Sequence, residues 1–144
     1  MFVSVGVDGT LRLRSTLRKM PLMSTIGSVD RADRNAPMGL YCADWSKVRP
    51  SVFAVAGDGG TVQIHDLGTD QPMMPVAQLE MPPVHDMRST RSRALALQFN
   101  HKQRDFLACG DSNGHVHIWQ LSWHLSNAGS KENDCLRAFT DRGE

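Results

Sequence analysis

Two histidines near the end of the chain are the first candidates for chemistry. His115 and His117 alternate along an extended segment and therefore share one face, and His124 follows a few residues later. Zinc requires three or four ligands within tetrahedral reach, but neither Cys-x-x-Cys nor His-x-x-x-His spacing occurs in the chain. The spacing therefore favours strand histidines packed against a neighbouring sheet over a metal site.

A cysteine and a glycine-rich segment are the other candidates. Cys109 with a histidine nearby resembles a nucleophile and base, but it lies in an apolar run, where cysteine behaves as a small hydrophobic residue. Residues 57–60, Gly-Asp-Gly-Gly, lack the Gly-Lys-Ser/Thr ending and the helix that a phosphate loop requires. We therefore expect no catalytic residue, no metal and no cofactor. An enzyme is the weakest alternative, because the sequence offers no convergent acid, base and nucleophile.

These candidates belong to a stretch of sequence that occurs three times. Each copy has a short apolar run, then glycines with Asp or Asn, and then alternating apolar and polar residues. Glycine, aspartate and asparagine tolerate the positive φ of tight turns, so each copy predicts a β-hairpin. The anchors of the copies are Gly6, Gly57 and Gly110, about 52 residues apart, with Asp58 and Asp111 directly after the second and third.

Further strands are predicted between the hairpins. Residues 39–46 and 94–100 alternate ahead of a hairpin, and residues 20–26 and 74–80 can form a strand after one. Four strands in a repeating unit is the organisation of a propeller blade. A βαβ fold is excluded because no helical periodicity of about ten residues separates the strands. An immunoglobulin-like sandwich does not explain the recurring turn.

The predicted fold is all-β: a partial β-propeller of about two and a half four-stranded blades. Trp45 and Trp119 fall in strand positions and are expected to anchor its core. The blade remnants are residues 1–27, 38–80 and 93–121 within a propeller domain of residues 1–125, and a polar tail covers residues 126–144.

Composition narrows the possible partners. The chain has 144 residues, a formal net charge of +1, 40% hydrophobic and 22% charged residues. A near-neutral balance argues against nucleic acid as a partner, and an apolar run of about 20 residues, which membrane insertion would need, is missing. The three cysteines are an odd number without disulfide spacing and indicate reduced thiols in a soluble intracellular protein.

The number of blades is too small for a ring. Propellers close with about four to eight blades, whereas this sequence supplies fewer than three and begins in the second-strand position of a blade. We therefore expect the C-terminal piece of a larger propeller whose remaining blades are missing, as in a truncated gene or a splice form. The alternative is a small free-standing β domain.

Polar inserts lie between the blades, at residues 28–37 and 81–92. Inserts of this kind map to one rim of a propeller and commonly carry its contacts. The second insert contains the start of a basic stretch. This stretch either contacts an acidic partner or is a solvated loop. The candidate contact residues are Arg88, Arg91 and Arg93.

The third copy resembles a WD repeat. Residues 107–120 carry the Gly-Asp-Ser-Asn-Gly turn and end in Trp119-Gln120, in the place of the Trp-Asp pair. Members of that family often have a buried polar network in each blade. The positions of its Ser/Thr hold Val5, Ala56 and Cys109 here, so we expect the network to be absent and apolar packing to replace it.

The end of the chain is similar to that of dynein intermediate chains, especially those of cytoplasmic dynein-2. The similarity rests on Trp-Gln-Leu-Ser at 119–122 and the polar tail reaching Asp-Cys-Leu at 134–136. It implies a non-catalytic subunit that binds the dynein heavy chain, with other dynein intermediate and light chains, for retrograde intraflagellar transport and cilium assembly. Cytoplasm, cytoskeleton and cilium are the implied locations. The alternative is a generic cytoplasmic WD-repeat scaffold for complex assembly or signalling.

Two short predictions concern the segment after the last strand. Trp123 and Leu125 are expected to cover the edge of the final blade. Cys135, Leu136 and Phe139 have helical spacing, so one helical turn is expected to dock on the propeller.

Overall fold

The computed structural model describes residues 1–26, 38–82, 92–130 and 132–141. Within these ranges, ten strands form three antiparallel sheets in chain order. No helix in the same ranges is long and apolar enough to cross a membrane. The first sheet contains β1 (Phe2–Val5), β2 (Thr10–Arg14) and β3 (Met23–Ile26); the second contains β4 (Leu40–Trp45), β5 (Val52–Gly57), β6 (Thr61–Asp66) and β7 (Pro75–Glu80); the third contains β8 (Ala94–Phe99), β9 (Phe106–Asp111) and β10 (Val116–Gln120).

The three recurring turns are the three expected hairpins, β1–β2, β5–β6 and β9–β10. Each turn contains a glycine with positive φ: Gly9 at 73°, Gly59 at 91° and Gly114 at 84°. Because a side chain is strained in this region, glycine is what lets the strands reverse over so few residues. The strands predicted between the hairpins are also present, within one to three residues of the expected bounds.

The second sheet lies in the middle and is buried on both faces. On one face, Ala54 and Ile64 belong to a cluster with Phe99 and Leu107 of the third sheet. The opposite face packs against the first sheet through a second cluster of buried residues. Period-two alternation of β5 and β6 sends successive side chains to these two clusters, which explains why every residue of β5 is buried. The second cluster contains Leu11, Leu13, Leu40, Phe53, Val55 and Leu67.

Hydrogen bonds to backbone amides join one sheet to the next. The amide of Leu40, at the start of β4, donates to the carbonyl of Gly6 at 2.9 Å. At the other end of β4, Asp44 Oδ2 accepts the amide of Phe99 at 2.8 Å. These bonds fix the first strand of one sheet against its neighbour and hold the sheets as consecutive blades.

The third sheet ends in an edge strand. β10 pairs with β9 alone among the described residues, where the second sheet has a fourth strand in the corresponding place. Val116 and Ile118 are 69% and 66% exposed on this strand. Unpaired strands and exposed apolar side chains are features that folded sheets normally cover.

Two helices follow β10: α1 (Trp123–Ser126) and α2 (Glu132–Asp141). The expectation of a single turn in the tail was too short, because α2 spans ten residues. Leu136 and Phe139 pack against the cluster between the first two sheets. Trp123 does not cover an edge, since it is 69% exposed, whereas Leu125 packs against the cluster between the second and third sheets.

Candidate interaction surface

One rim of the molecule carries the β5–β6 turn and the start of β8. Asp58 follows Gly57 in that turn, and its Oδ2 accepts hydrogen bonds from the Gly39 amide and the Tyr41 hydroxyl, both at 3.0 Å. Its Oδ1 lies 3.2 Å from Arg93 Nε, at the first residue before β8. Asp58 thus connects the second sheet to the beginning of the third.

The Asp58–Arg93 ion pair positions a cation at the surface. The Arg93 side chain is 64% exposed, so solvent screening leaves the pair little stabilising value of its own. The hydrogen bond to Asp58 raises the pKa of Tyr41, because ionised tyrosine would lose it. Of the three candidate contact residues, Arg93 is placed on this rim, while Arg88 and Arg91 lie outside the described residues.

Asp111 organises the corresponding turn of the third sheet. Its side chain is fully buried, and Oδ1 accepts the amides of Asn113 and His115 at 2.9 Å each. Oδ2 lies 3.0 Å from His117 Nε2 and 3.5 Å from His115 Nδ1. Burial by itself would raise the pKa of Asp111, but the bonds from His117 and the two amides outweigh it and hold that pKa well below its usual range.

This cluster corrects one expectation. A polar network exists in the third blade, although it uses Asp111 and His117 rather than the Ser/Thr positions occupied by Val5, Ala56 and Cys109. The two histidines differ in their packing: His117 is paired with Cys109 and shares its face toward the second sheet, whereas His115 is 52% exposed. Among the described residues, no group of three His, Cys, Asp or Glu is arranged to hold a metal ion.

Cys109, which is buried, and Cys42, which is half-buried, lie between the second and third sheets. Burial raises the pKa of Cys109 to about 11, with a smaller contribution from Asp111. The pKa of Cys42 is raised to about 12, first by burial and then by Cys109. A nucleophilic cysteine needs the opposite shift, so both groups are protonated thiols at neutral pH.

The two tryptophans that were expected to anchor the core lie at its margin. Trp45 packs with Phe53 at a ring distance of 5.1 Å, and Trp119 stacks on His117 at 5.9 Å; each is half-buried at the margin of a cluster.

The space around the anchor glycines differs from one hairpin to the next. A Cβ on Gly57 would collide with the carbonyl of Gly39. Gly6 directly follows β1 and Gly110 is the last residue but one of β9; a Cβ on Gly110 would meet Ala96 at an ordinary 3.7 Å.

The opposite rim contains a charged network that the sequence analysis missed. Arg49 Nη2 lies 2.8 Å from Asp66 Oδ2, and Arg49 Nε lies 2.5 Å from Glu132 Oε1. Ser51 Oγ donates to Asp66 Oδ1 at 2.9 Å, and Arg49 Nη1 donates to the carbonyl of His124. The side chains of Arg49, Asp66 and Glu132 are 12%, 13% and 8% exposed. Glu132 is 83 residues from Arg49, so no local pattern signals the pair.

A groove lies against the third sheet, with a volume of about 580 Å³. It is bounded by the loop between β8 and β9 and by Gln98, Phe106, Ala108 and Ile118. Strand register places Gln98 and Ile118 opposite Ala108, so all three share the face directed away from the second sheet.

Comparison with known proteins agrees with this architecture. No family model matches the chain. The chain is 35% identical over 143 residues, 96% of its length, to human (Homo sapiens) cytoplasmic dynein 2 intermediate chain 2, and 34% identical over 134 residues, 92% of its length, to the mouse (Mus musculus) protein of that name. The solved C-terminal WD40 domain of Sif2 superposes on 83% of the chain with a TM-score of 0.57 at 19% identity. The chain therefore resembles dynein intermediate chains in sequence and a WD40 domain in fold.

As parts of a WD-repeat propeller, the three sheets are consecutive blades, and the all-β partial propeller predicted from the sequence is confirmed. The chain spans about a quarter of the length of the curated relatives, 24% of the human and 22% of the mouse protein. It covers 30% of the Sif2 domain. The Sif2 likeness concerns the fold alone.

Proposed function

We propose that this chain is a non-catalytic, intermediate-chain-like portion of a dynein motor, similar to that of cytoplasmic dynein-2. Its role is to bind the heavy chain, together with other dynein intermediate and light chains, for retrograde intraflagellar transport and cilium assembly. The observation that carries the proposal is the 35% identity to cytoplasmic dynein 2 intermediate chain 2 across 96% of the chain. Cytoplasm, cytoskeleton and cilium are the corresponding locations.

The fold is suited to binding a partner protein. Blades joined by backbone bonds, such as Leu40 to Gly6, form a rigid support for exposed loops. The raised pKa values of Cys42 and Cys109 argue against either cysteine as a nucleophile, because a thiol that stays protonated reacts poorly.

The free face of the third sheet supports the view that further blades belong beside it. Ile118 and Val116 are exposed there, next to the 580 Å³ groove. In a closed ring this apolar face would pack against another blade, as the second sheet packs against its neighbours. The remaining blades of a longer propeller are therefore the proposed occupant.

The rim around Arg93 is the proposed contact with an acidic partner surface. Asp58 holds Nε of this residue at 3.2 Å, which orders the guanidinium while most of the side chain stays in solvent. Arg88 and Arg91 are included in the proposed surface on sequence alone. A preordered cation loses less side-chain entropy on binding than a mobile one.

Co-purification from ciliated cells tests the proposal. A tagged form of human cytoplasmic dynein 2 intermediate chain 2, with its aligned quarter replaced by this chain, is expected to recover the dynein-2 heavy chain. Recovery of other partners without that heavy chain would favour a generic WD-repeat scaffold and contradict the proposal. Arg93→Glu is expected to lower heavy-chain recovery at least threefold, whereas Arg104→Glu, a charge reversal at another exposed arginine, leaves it unchanged.

A further inference from the structure

The C-terminal helix α2 is held by one face. Glu132, Leu136 and Phe139 are spaced four and three residues apart and so lie along one side of the helix. Leu136 and Phe139 pack against the cluster between the first and second blades, and Cys135 Sγ lies 3.7 Å from the carbonyl of Leu67. The opposite side, which includes Asn133 and Ala138, is exposed.

A buried cation marks one end of this contact. Arg49 belongs to the second blade, is 12% exposed, and lies 2.5 Å from the Glu132 carboxylate. Asp66 binds the same guanidinium from within the blade. The surface beneath α2 therefore combines the Arg49 guanidinium, shared with Asp66, with apolar side chains of the cluster between the first and second blades. It fits a helix that places a carboxylate one turn before its apolar residues.

The helix depends on this surface for its own structure. Ten residues are fewer than an isolated helix needs to be stable in water, so α2 is helical because it is docked. Residues 127–131 connect it to α1. Within the described residues, Glu132 Oε2 is buried without a hydrogen-bond partner, so the surface satisfies only one of the two carboxylate oxygens that α2 places on it.

We propose that the surface beneath α2 is a helix-binding site, occupied in this structure by the chain's own C-terminal helix. Its ligand in trans is an amphipathic helix of a partner protein with a carboxylate at one position and large apolar residues four and seven positions later. The partner helix enters as α2 leaves, so α2 acts as an intramolecular competitor. The proposal does not depend on which partner the exposed rims bind.

A labelled peptide with the sequence of residues 128–144 tests the site, titrated into the full 144-residue chain by fluorescence anisotropy. The double variant Leu136→Asp/Phe139→Asp removes the apolar contacts of α2 and vacates the site. We expect this variant to bind the peptide at least ten times more tightly than the unaltered chain. The matched control Asn133→Asp/Ala138→Asp adds the same charge on the exposed side and is expected to bind within twofold of the unaltered chain.

Two further measurements make the result specific. In the vacated variant, a peptide with Glu132→Gln is expected to bind at least fivefold more weakly, because it cannot pair with Arg49. Hydrogen exchange should show that α2 amides lose protection while β5 amides keep it. If β5 also loses protection, Leu136→Ala/Phe139→Ala replaces the aspartate pair with the same expectations. Equal affinity of the peptide for the unaltered and vacated chains, or no binding to the vacated chain, would overturn the proposal.

Discussion

His65 stacks on Phe53 in the interior of the second blade, with ring centroids 5.0 Å apart and planes inclined by 5°. The histidine is 1% exposed. Neither of its ring nitrogens has a hydrogen-bond partner among the described residues. Burial lowers the pKa of His65 from 6.5 to about 4, so the imidazole is neutral in the folded protein at physiological pH. The His65 side chain therefore packs as part of the apolar core, but its imidazole can still take up a proton in acid.

The first prediction concerns acid stability. Between pH 6.5 and 4 the unfolded chain binds a proton at His65 that the folded chain does not, so the free energy of unfolding falls as the pH decreases through this window. Lowering the pH from 7 to 5 should cost about 2 kcal/mol through this residue. His65→Leu should remove that part of the pH dependence, as measured by urea unfolding at both pH values.

The exposed His101 provides the comparison. His101→Leu is expected to keep the full pH dependence of the unaltered chain. A His65→Leu variant that lost stability between pH 7 and 5 as steeply as the unaltered chain would contradict the assignment.

The second prediction concerns the turn held by Asp111. Asp111→Asn leaves the amides of Asn113 and His115 with a weaker acceptor and removes the charge beside His117, so the free energy of unfolding should fall by about 1–3 kcal/mol. Because its folded-state pKa lies below the ordinary value of 3.8, the carboxylate contributes stability above that pH, and the contribution is lost as the pH falls through the lowered value.

Calorimetric melting at pH 7 and in progressively acidic buffers measures both effects. Asp70→Asn, at an exposed position, should match the unaltered chain throughout. An Asp111→Asn variant as stable as the Asp70→Asn variant at pH 7 would show that the buried cluster does not contribute.

The third prediction compares Gly57 and Gly110, which occupy the same position in two copies of the recurring sequence. Gly57→Ala places a Cβ against the backbone of Gly39 and Leu40, which side-chain motion cannot relieve, and should destabilise the fold by about 2 kcal/mol or more. At Gly110 the added Cβ would make an ordinary 3.7 Å contact with Ala96, so Gly110→Ala should stay within about 0.5 kcal/mol of the unaltered chain. Chemical denaturation of the two variants measures the difference, and equal losses would rule out the close approach as its cause.

The fourth prediction concerns the network at Arg49. Arg49→Met leaves the carboxylates of Asp66 and Glu132 without their cation in a largely buried place, so the free energy of unfolding should fall by about 3 kcal/mol. Arg104→Met removes an exposed arginine and should change it by less than about 0.5 kcal/mol. Thermal melting compares the two. If the loss at Arg49 were no larger than at Arg104, the pair with Glu132 would not be formed in solution.

The sequence by itself determined the strands and turns. Alternation in residues 54–65 and 108–119, together with glycines at the reversals, specifies hairpins because the side-chain period of a strand and the steric demand of a positive φ are local properties. The recurrence of that local pattern about every 52 residues was sufficient to predict consecutive blades and an all-β fold.

Only the tertiary structure decided which polar groups meet. Arg49 and Glu132 are 83 residues apart, so no short motif encodes their contact. Asp111 and His117 are only six residues apart, but their side chains meet only once β9 and β10 have paired. The extent of α2 was underestimated for the same reason: the sequence shows an apolar face of three residues, but the surface that stabilises a ten-residue helix is formed by two other blades. Local periodicity fixes secondary structure, whereas buried charges and short docked helices depend on long-range packing.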